Sequence, residues 1–188
     1  MRIIGGQFKS RLIMMPKGVE IRPTQDKVRQ AIFNMLADLN GKRVLELFAG
    51  SGAFGIESIS RGASYVTFVD NNFRCVKTIK ANLDSLSIHS RYYDVIRASA
   101  LSILPSLEKE GNKFDLIFMD PPYHLEMAKK CLINIDSCDI LSPNSLIVVE
   151  HFKKDVIVAG FKTLVLEKER RYGDTLVTMY RKTAEKAV

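Results

Sequence analysis

What this sequence lacks narrows its class first. No apolar run approaches the ~20 residues that a membrane-spanning helix needs. Residues 1–20 are basic, but no apolar segment and small-residue cleavage site follow, so no secretory leader is expected. Cysteine is scarce. Cys75, Cys131 and Cys138 form no C-x-x-C pair and leave one odd, which points to reduced, space-filling thiols in a cytoplasmic protein and to no metal site. Histidine is equally sparse. His89 reads as a loop residue, and His124 as a loop histidine facing solvent or substrate. No internal repeat or low-complexity segment is present. At 188 residues, a single domain with a real core is the default.

What is present is unevenly spread. Residues 1–43 carry +6, residues 44–152 carry −3 and residues 153–188 carry +4. A slightly acidic middle between two basic ends is the footprint of a polyanion partner, or else of a solvated basic surface.

Periodicity organises the chain as alternating strands and helices. Residues 2–20 alternate loosely around Gly5-Gly6 and Pro16-Lys17-Gly18, which predicts a short hairpin or extended arm. From Thr24, an N-cap candidate, Val28, Ile32, Met35, Leu36 and Leu39 recur at helical spacing until Gly41. Strands follow at 44–48, 65–69, 93–97, 114–119 and 145–149. Helices are expected at 53–61, 72–86, 101–109 and 125–135. Two last strands, 163–168 and 175–181, are joined through Tyr172-Gly173-Asp174, too briefly for a parallel crossover. The pattern predicts a doubly wound α/β sheet, mostly parallel with an antiparallel C-terminal strand, and a basic arm and helix over 1–43.

Two loops carry chemistry. Asp120-Pro121-Pro122-Tyr123 follows a strand apolar enough to be buried on both faces, where such sheets bind ligands. A carboxylate there can accept one hydrogen of an amine. The prolines lack N–H and can leave a carbonyl bare for the second hydrogen, and the tyrosine offers a stacking face. A plain strand-stopping turn is the alternative. Upstream, Val44-Leu45-Glu46-Leu47-Phe48-Ala49-Gly50-Ser51-Gly52-Ala53-Phe54-Gly55 runs from a strand through three glycines into a helix, and Asp70 closes the next strand. That spacing fits a nucleotide-type cofactor, including a nicotinamide dinucleotide, or a glycine turn with nothing bound.

Glu46-x-x-x-Gly50-x-Gly52, Asp70 and Asp120-Pro121-Pro122-Tyr123 together resemble the S-adenosylmethionine-dependent amino-methyltransferases. Arg2-Ile3-Ile4-Gly5-Gly6, the block Arg22 to Asn34, and Tyr172-Gly173-Asp174-Thr175 are more closely similar to the RsmD family, which methylates guanine N2 in 16S ribosomal RNA of the small subunit. The resemblance covers nearly the whole chain and implies a Rossmann-like class I methyltransferase domain. It implies that Gly50, Ser51 and Gly52, with Phe48, wrap the methionine portion of the cofactor. Glu46 would lie near its ammonium, or else merely cap or pair with a neighbouring base; Asp70 would lie on the ribose, or else cap the following helix, and Asn71 would lie beside the adenine. Ser99 stands where the family usually has an Asp toward the adenine. Asp120 would accept the amine hydrogen and Tyr123 stack the base. Lys9, Arg11, Arg22 and Thr24 would contact RNA, and Tyr172 would frame the base. Rivals are an adenine-N6 DNA methyltransferase, a protein glutamine methyltransferase and a catalytically silent RNA-binding relative.

Overall fold

The structure is a computed structural model that describes residues 1–18, 26–36, 38–122, 126–155, 157 and 161–183. The chain divides into two compact units, Met1–Ala98 and Ser99–Val188.

In the first unit, β1 (Arg43–Leu47), β2 (Tyr65–Asp70) and β3 (Tyr93–Arg97) run parallel in the order β3-β2-β1. Val44, Leu45, Leu47, Val66, Phe68 and Val69 are fully buried, as a parallel sheet covered on both faces requires. The helices are α1 (Asp26–Met35), α2 (Ala53–Ser60) and α3 (Phe73–Ser85). Asn72 caps α3 by accepting the Arg74 N–H at 2.9 Å. Gly62, at φ +96°, closes α2, and the Ala63 N–H returns to the Ser58 carbonyl at 3.0 Å. α1 ends at Met35, well before Gly41. The Asp38 carboxylate accepts the Asn40 N–H at 3.0 Å, and the Lys42 N–H bonds to the Leu39 carbonyl, so a local turn replaces the expected last helical turn. The expected cap, Thr24, lies outside the described residues.

The N-terminal arm is not a regular hairpin. Its one bridge joins Arg2 to Leu12, and the rest is stitched to helices. The Ile4 N–H donates to Glu57 Oε2 at 2.7 Å, and the Phe8 N–H to Ser60 Oγ at 2.9 Å. Ser60 Oγ donates to the Gly5 carbonyl at 2.6 Å. A Cβ on Gly5 would lie 2.3 Å from the Arg61 guanidinium, and one on Gly6 1.8 Å from the Ser60 carbonyl oxygen. The Gly5-Gly6 pair is therefore a close-approach site against the end of α2. Ile3 and Ile13 are buried beneath the arm.

In the second unit, α4 (Ala100–Lys109), β4 (Phe114–Met119), α5 (Met127–Ser137), β5 (Leu141–Phe152), β6 (Leu164–Tyr172) and β7 (Thr175–Lys182) follow in sequence. The strand order is β4-β5-β7-β6, with β4 and β5 parallel and β7 antiparallel to both its neighbours. β5 starts earlier than the apolar run 145–149 suggests. Phe114 pairs with Leu141 but Leu116 with Leu146, so a bulge containing Pro143 and left-handed Asn144 (φ +58°) lengthens the strand. β6 has a charged, exposed edge, with Glu167 ion-paired to Arg181. Among the described residues no helix is long and apolar enough to cross a membrane.

Candidate functional site

The first unit builds the glycine loop from backbone strain and one carboxylate. β1 ends at Leu47, and Phe48 (φ +57°), Gly50 (+55°) and Gly52 (+75°) all take the left-handed conformation before α2 begins. Phe48 is the costly one of the three, because a side chain disfavours that conformation. The third glycine has another purpose. A Cβ on Gly55 would lie 2.3 Å from the Phe68 ring and 2.8 Å from Glu46 Oε2, so Gly55 lets α2 lie close on the sheet. Ser51 is buried, and its carbonyl accepts from Asn82 Nδ2 at 2.9 Å.

Asp70 ends β2 half-buried. Its Oδ2 accepts the Gly50 N–H and its Oδ1 the Asn72 N–H, each at 2.8 Å. These two bonds fix the carboxylate against the loop and leave it further lone pairs for hydroxyl donors. The buried Cys75 thiol beside it is pushed up to about 12, first by burial and then by the Asp70 charge, so it stays protonated. Asn71 is exposed at the same strand end, and its carbonyl accepts from Arg97 Nε at 3.4 Å.

Glu46 caps a helix, one of the readings that its sequence position leaves open. It is 3% exposed, and its two oxygens accept the N–H groups of Phe54 (3.2 Å) and Gly55 (2.9 Å), the open amides at the start of α2. Burial pushes its carboxyl up to about 8, against the lowering by those two N–H groups, with the Asp70 charge raising it further and Arg29 lowering it. The sequence reading missed Arg29. It is 2% exposed, ion-pairs with Asp26 at 3.1 Å and donates to the Arg2 carbonyl, while its Nε and Nη1 have no hydrogen-bond partner among the described residues. Its place on the same helix face as Ile32 and Phe33 was the available signal. Phe73 was missed too. It is 58% exposed at the start of α3, with the Arg97 guanidinium 5.7 Å from its ring centre.

The second unit carries the Asp120-Pro121-Pro122 loop. β4 is buried and ends at Met119; Asp120 is half-buried, Pro121 buried and Pro122 exposed. Tyr123 and His124 lie outside the described residues, as do Arg22 and Thr24. Pro121 and Pro122 line a cavity of about 220 Å³ with Glu126, Lys129, His151, Lys154 and Asp155 among its walls. Glu126 takes φ +48° at the start of α5. His151, which the sequence reading left without a role, is 2% exposed. Its Nε2 lies 2.8 Å from Thr178 Oγ1, which donates to Glu169 Oε2 at 3.2 Å. Burial lowers its pKa and favours the neutral ring.

The remaining candidates lie on other elements of the two units. Ser99 precedes α4, exposed, and its side chain makes no capping bond. Tyr172 closes the β6–β7 hairpin, whose Asp174 pairs with Lys153 at 2.5 Å. Lys9 and Arg11 are exposed on the arm.

A family model described as conserved hypothetical protein 95, the RsmD family, matches residues 1–181. The chain belongs to the RsmD family. The Bacillus subtilis (strain 168) protein YlbH is 38% identical over 183 residues, covering 97% of this chain and 99% of YlbH. Ribosomal RNA small subunit methyltransferase D of Haemophilus influenzae (strain ATCC 51907 / DSM 11121 / KW20 / Rd) is 35% identical over 169 residues, covering 89% and 87%. The solved structure of the Escherichia coli protein yhhF superposes with a TM-score of 0.85 at 29% identity, covering 98% of this chain and 99% of that one. The fold is the Rossmann-like α/β fold of the methyltransferases, mostly parallel with antiparallel C-terminal strands.

Proposed function

We propose that this RsmD-family chain transfers a methyl group from S-adenosylmethionine to the exocyclic N2 amine of a guanine in 16S ribosomal RNA. The coarser part is the family's own: an S-adenosylmethionine-dependent ribosomal RNA methyltransferase. The residues fit that cofactor. Gly50 and Gly52 bring backbone without Cβ atoms to the ligand, and Asp70, fixed by the Gly50 amide, keeps acceptor capacity for vicinal hydroxyls. Phe73 offers an exposed ring to the adenine, which suits a chain with serine at position 99. The cofactor supplies a methyl group activated on a sulfonium.

The observation that carries the reading is the Asp120-Pro121-Pro122 loop, placed at the carboxyl end of buried β4 and opening on a polar cavity. The Asp120 carboxylate accepts one N2 hydrogen and holds the amine's lone pair toward the methyl carbon. It or water then takes the proton released by the methylated nitrogen. Positioning is the main task, because the nitrogen is acidic once it is cationic. Glu126 and Asp155 in the cavity wall offer acceptors for a donor such as guanine N1–H, and Lys129 and Lys154 offer donors for an acceptor such as O6. Since the base must leave its stack, the substrate nucleotide is flipped or already unpaired.

One methyltransferase domain comprising both units, working in the cytoplasm on the small ribosomal subunit, completes the proposal. Incubation with labelled S-adenosylmethionine and unmodified small subunits, followed by mapping of the modified nucleoside, tests it. N2-methylguanosine at one 16S position is expected. N6-methyladenosine, or label in protein alone, would overturn it.

A further inference from the structure

Residues 11–18 of the arm lie along α3, running against the helix direction. Arg11 Nη2 donates to the Ser85 carbonyl at 3.3 Å, near the helix end. The Met14 N–H donates to Asn82 Oδ1 at 2.7 Å, and Asn82 Nδ2 donates back to the Met14 carbonyl at 3.0 Å. Arg74 Nη1, at the helix start, donates to the Gly18 carbonyl at 3.0 Å. Asn82 is fully buried, so its paired bonds hold the arm on the helix rather than beside it in water.

This docking places two sets of cations on one body. Lys9, Arg11 and Lys17 are exposed on the arm, and Arg74, Lys77 and Lys80 on the helix. At ~100° per residue, Lys77, Lys80 and Asp84 share a stripe of about 60° on the outer face of α3, and Arg74 lies between that stripe and the arm. Asp84 is the one carboxylate of the stripe. The span from Arg74 to Ser85 is about 16 Å at 1.5 Å per residue, long enough to follow several phosphates of one strand. A surface already fixed by internal hydrogen bonds loses little freedom when a polyanion binds.

We propose that the arm and the outer face of α3 form one continuous docking surface for the RNA phosphate backbone, extending the RNA contact beyond the arm to Lys77 and Lys80. The inference rests on the reading that RNA is the methyl acceptor. Counterion release makes it measurable, because each neutralised phosphate adds to the salt dependence of binding.

The test compares the wild type, Lys77→Ala/Lys80→Ala and Lys77→Arg/Lys80→Arg in binding to a 16S ribosomal RNA transcript at several salt concentrations. Cofactor affinity and melting temperature are measured beside it. The alanine pair should weaken RNA binding severalfold and lower the slope of log K against log salt by about 0.7–0.9 for each phosphate that is no longer neutralised. The arginine pair should restore both, while cofactor affinity and melting temperature stay unchanged throughout. An unaltered slope in the alanine pair, with a wild type that binds and methylates the transcript, overturns the docking surface alone. A wild type that binds cofactor but no ribosomal RNA overturns the functional reading and this inference with it.

Discussion

The glycine loop of the first unit and the Asp120 loop of the second meet different demands by different means. The glycine loop is shaped by its backbone: three left-handed residues in five, and a carboxylate fixed by two N–H groups. The Asp120 loop relies on side chains, with carboxylates, lysines and a buried histidine around a small cavity. A cofactor shared by a whole class of enzymes can be held by general backbone geometry. A particular nucleotide has to be distinguished by the groups that line its pocket.

The largest expected effect separates the two loops. Asp120→Ala should lower the single-turnover rate of methyl transfer by about 10²–10⁴-fold, the usual range for a positioned acid–base group, and leave cofactor affinity within twofold. Asp70→Ala should do the reverse. Loss of a charged acceptor should weaken cofactor binding by about 1.5–3 kcal/mol, as titration calorimetry would read. Near-normal cofactor affinity in that variant would leave Asp70 as a mere clamp on Gly50. Gly55→Ala probes the packing beneath the loop. Its new methyl would meet the Phe68 ring and Glu46, at a cost of about 1–3 kcal/mol in denaturant unfolding. Phe73→Ala should weaken cofactor binding by about 1 kcal/mol, the low end of base stacking on an aromatic ring, because this ring is largely exposed.

The smallest effect is a slope with pH. A carboxyl raised in the fold binds its proton more tightly there than in the unfolded chain. The stability from protonated Glu46 is therefore complete below its ordinary value of 4.5 and is lost as pH rises toward about 8. Glu46→Gln should flatten the fall in melting temperature of the cofactor-free protein across that window. An identical pH profile in the variant would show that the helix amides keep Glu46 ionised.

The same contrast governs what the sequence made legible. Strands 93–97 and 114–119 have the expected bounds; the second is a nearly unbroken apolar run buried on both faces, whereas the first is only half-buried along its length. The glycine loop was legible because φ above zero selects glycine. Less could be read of the arm, whose order depends on Glu57, Ser60 and Asn82, polar residues that become buried only by long-range contact. Capping by Glu46 is among the readings the sequence leaves open, but which amides it caps depends on a bend that no local pattern shows. The cavity beside Pro121 and Pro122 draws on α5 and on residues beyond β5, so its lysines and carboxylates carried no sequence signal of their own.

Titration of S-adenosylmethionine into Asp70→Ala and Asp120→Ala, paired with single-turnover methylation of 16S ribosomal RNA at saturating cofactor, tests the division of labour most directly. Weak binding with recoverable turnover is expected for Asp70→Ala, and normal binding with little turnover for Asp120→Ala. Equal losses of binding and turnover in both variants would contradict it.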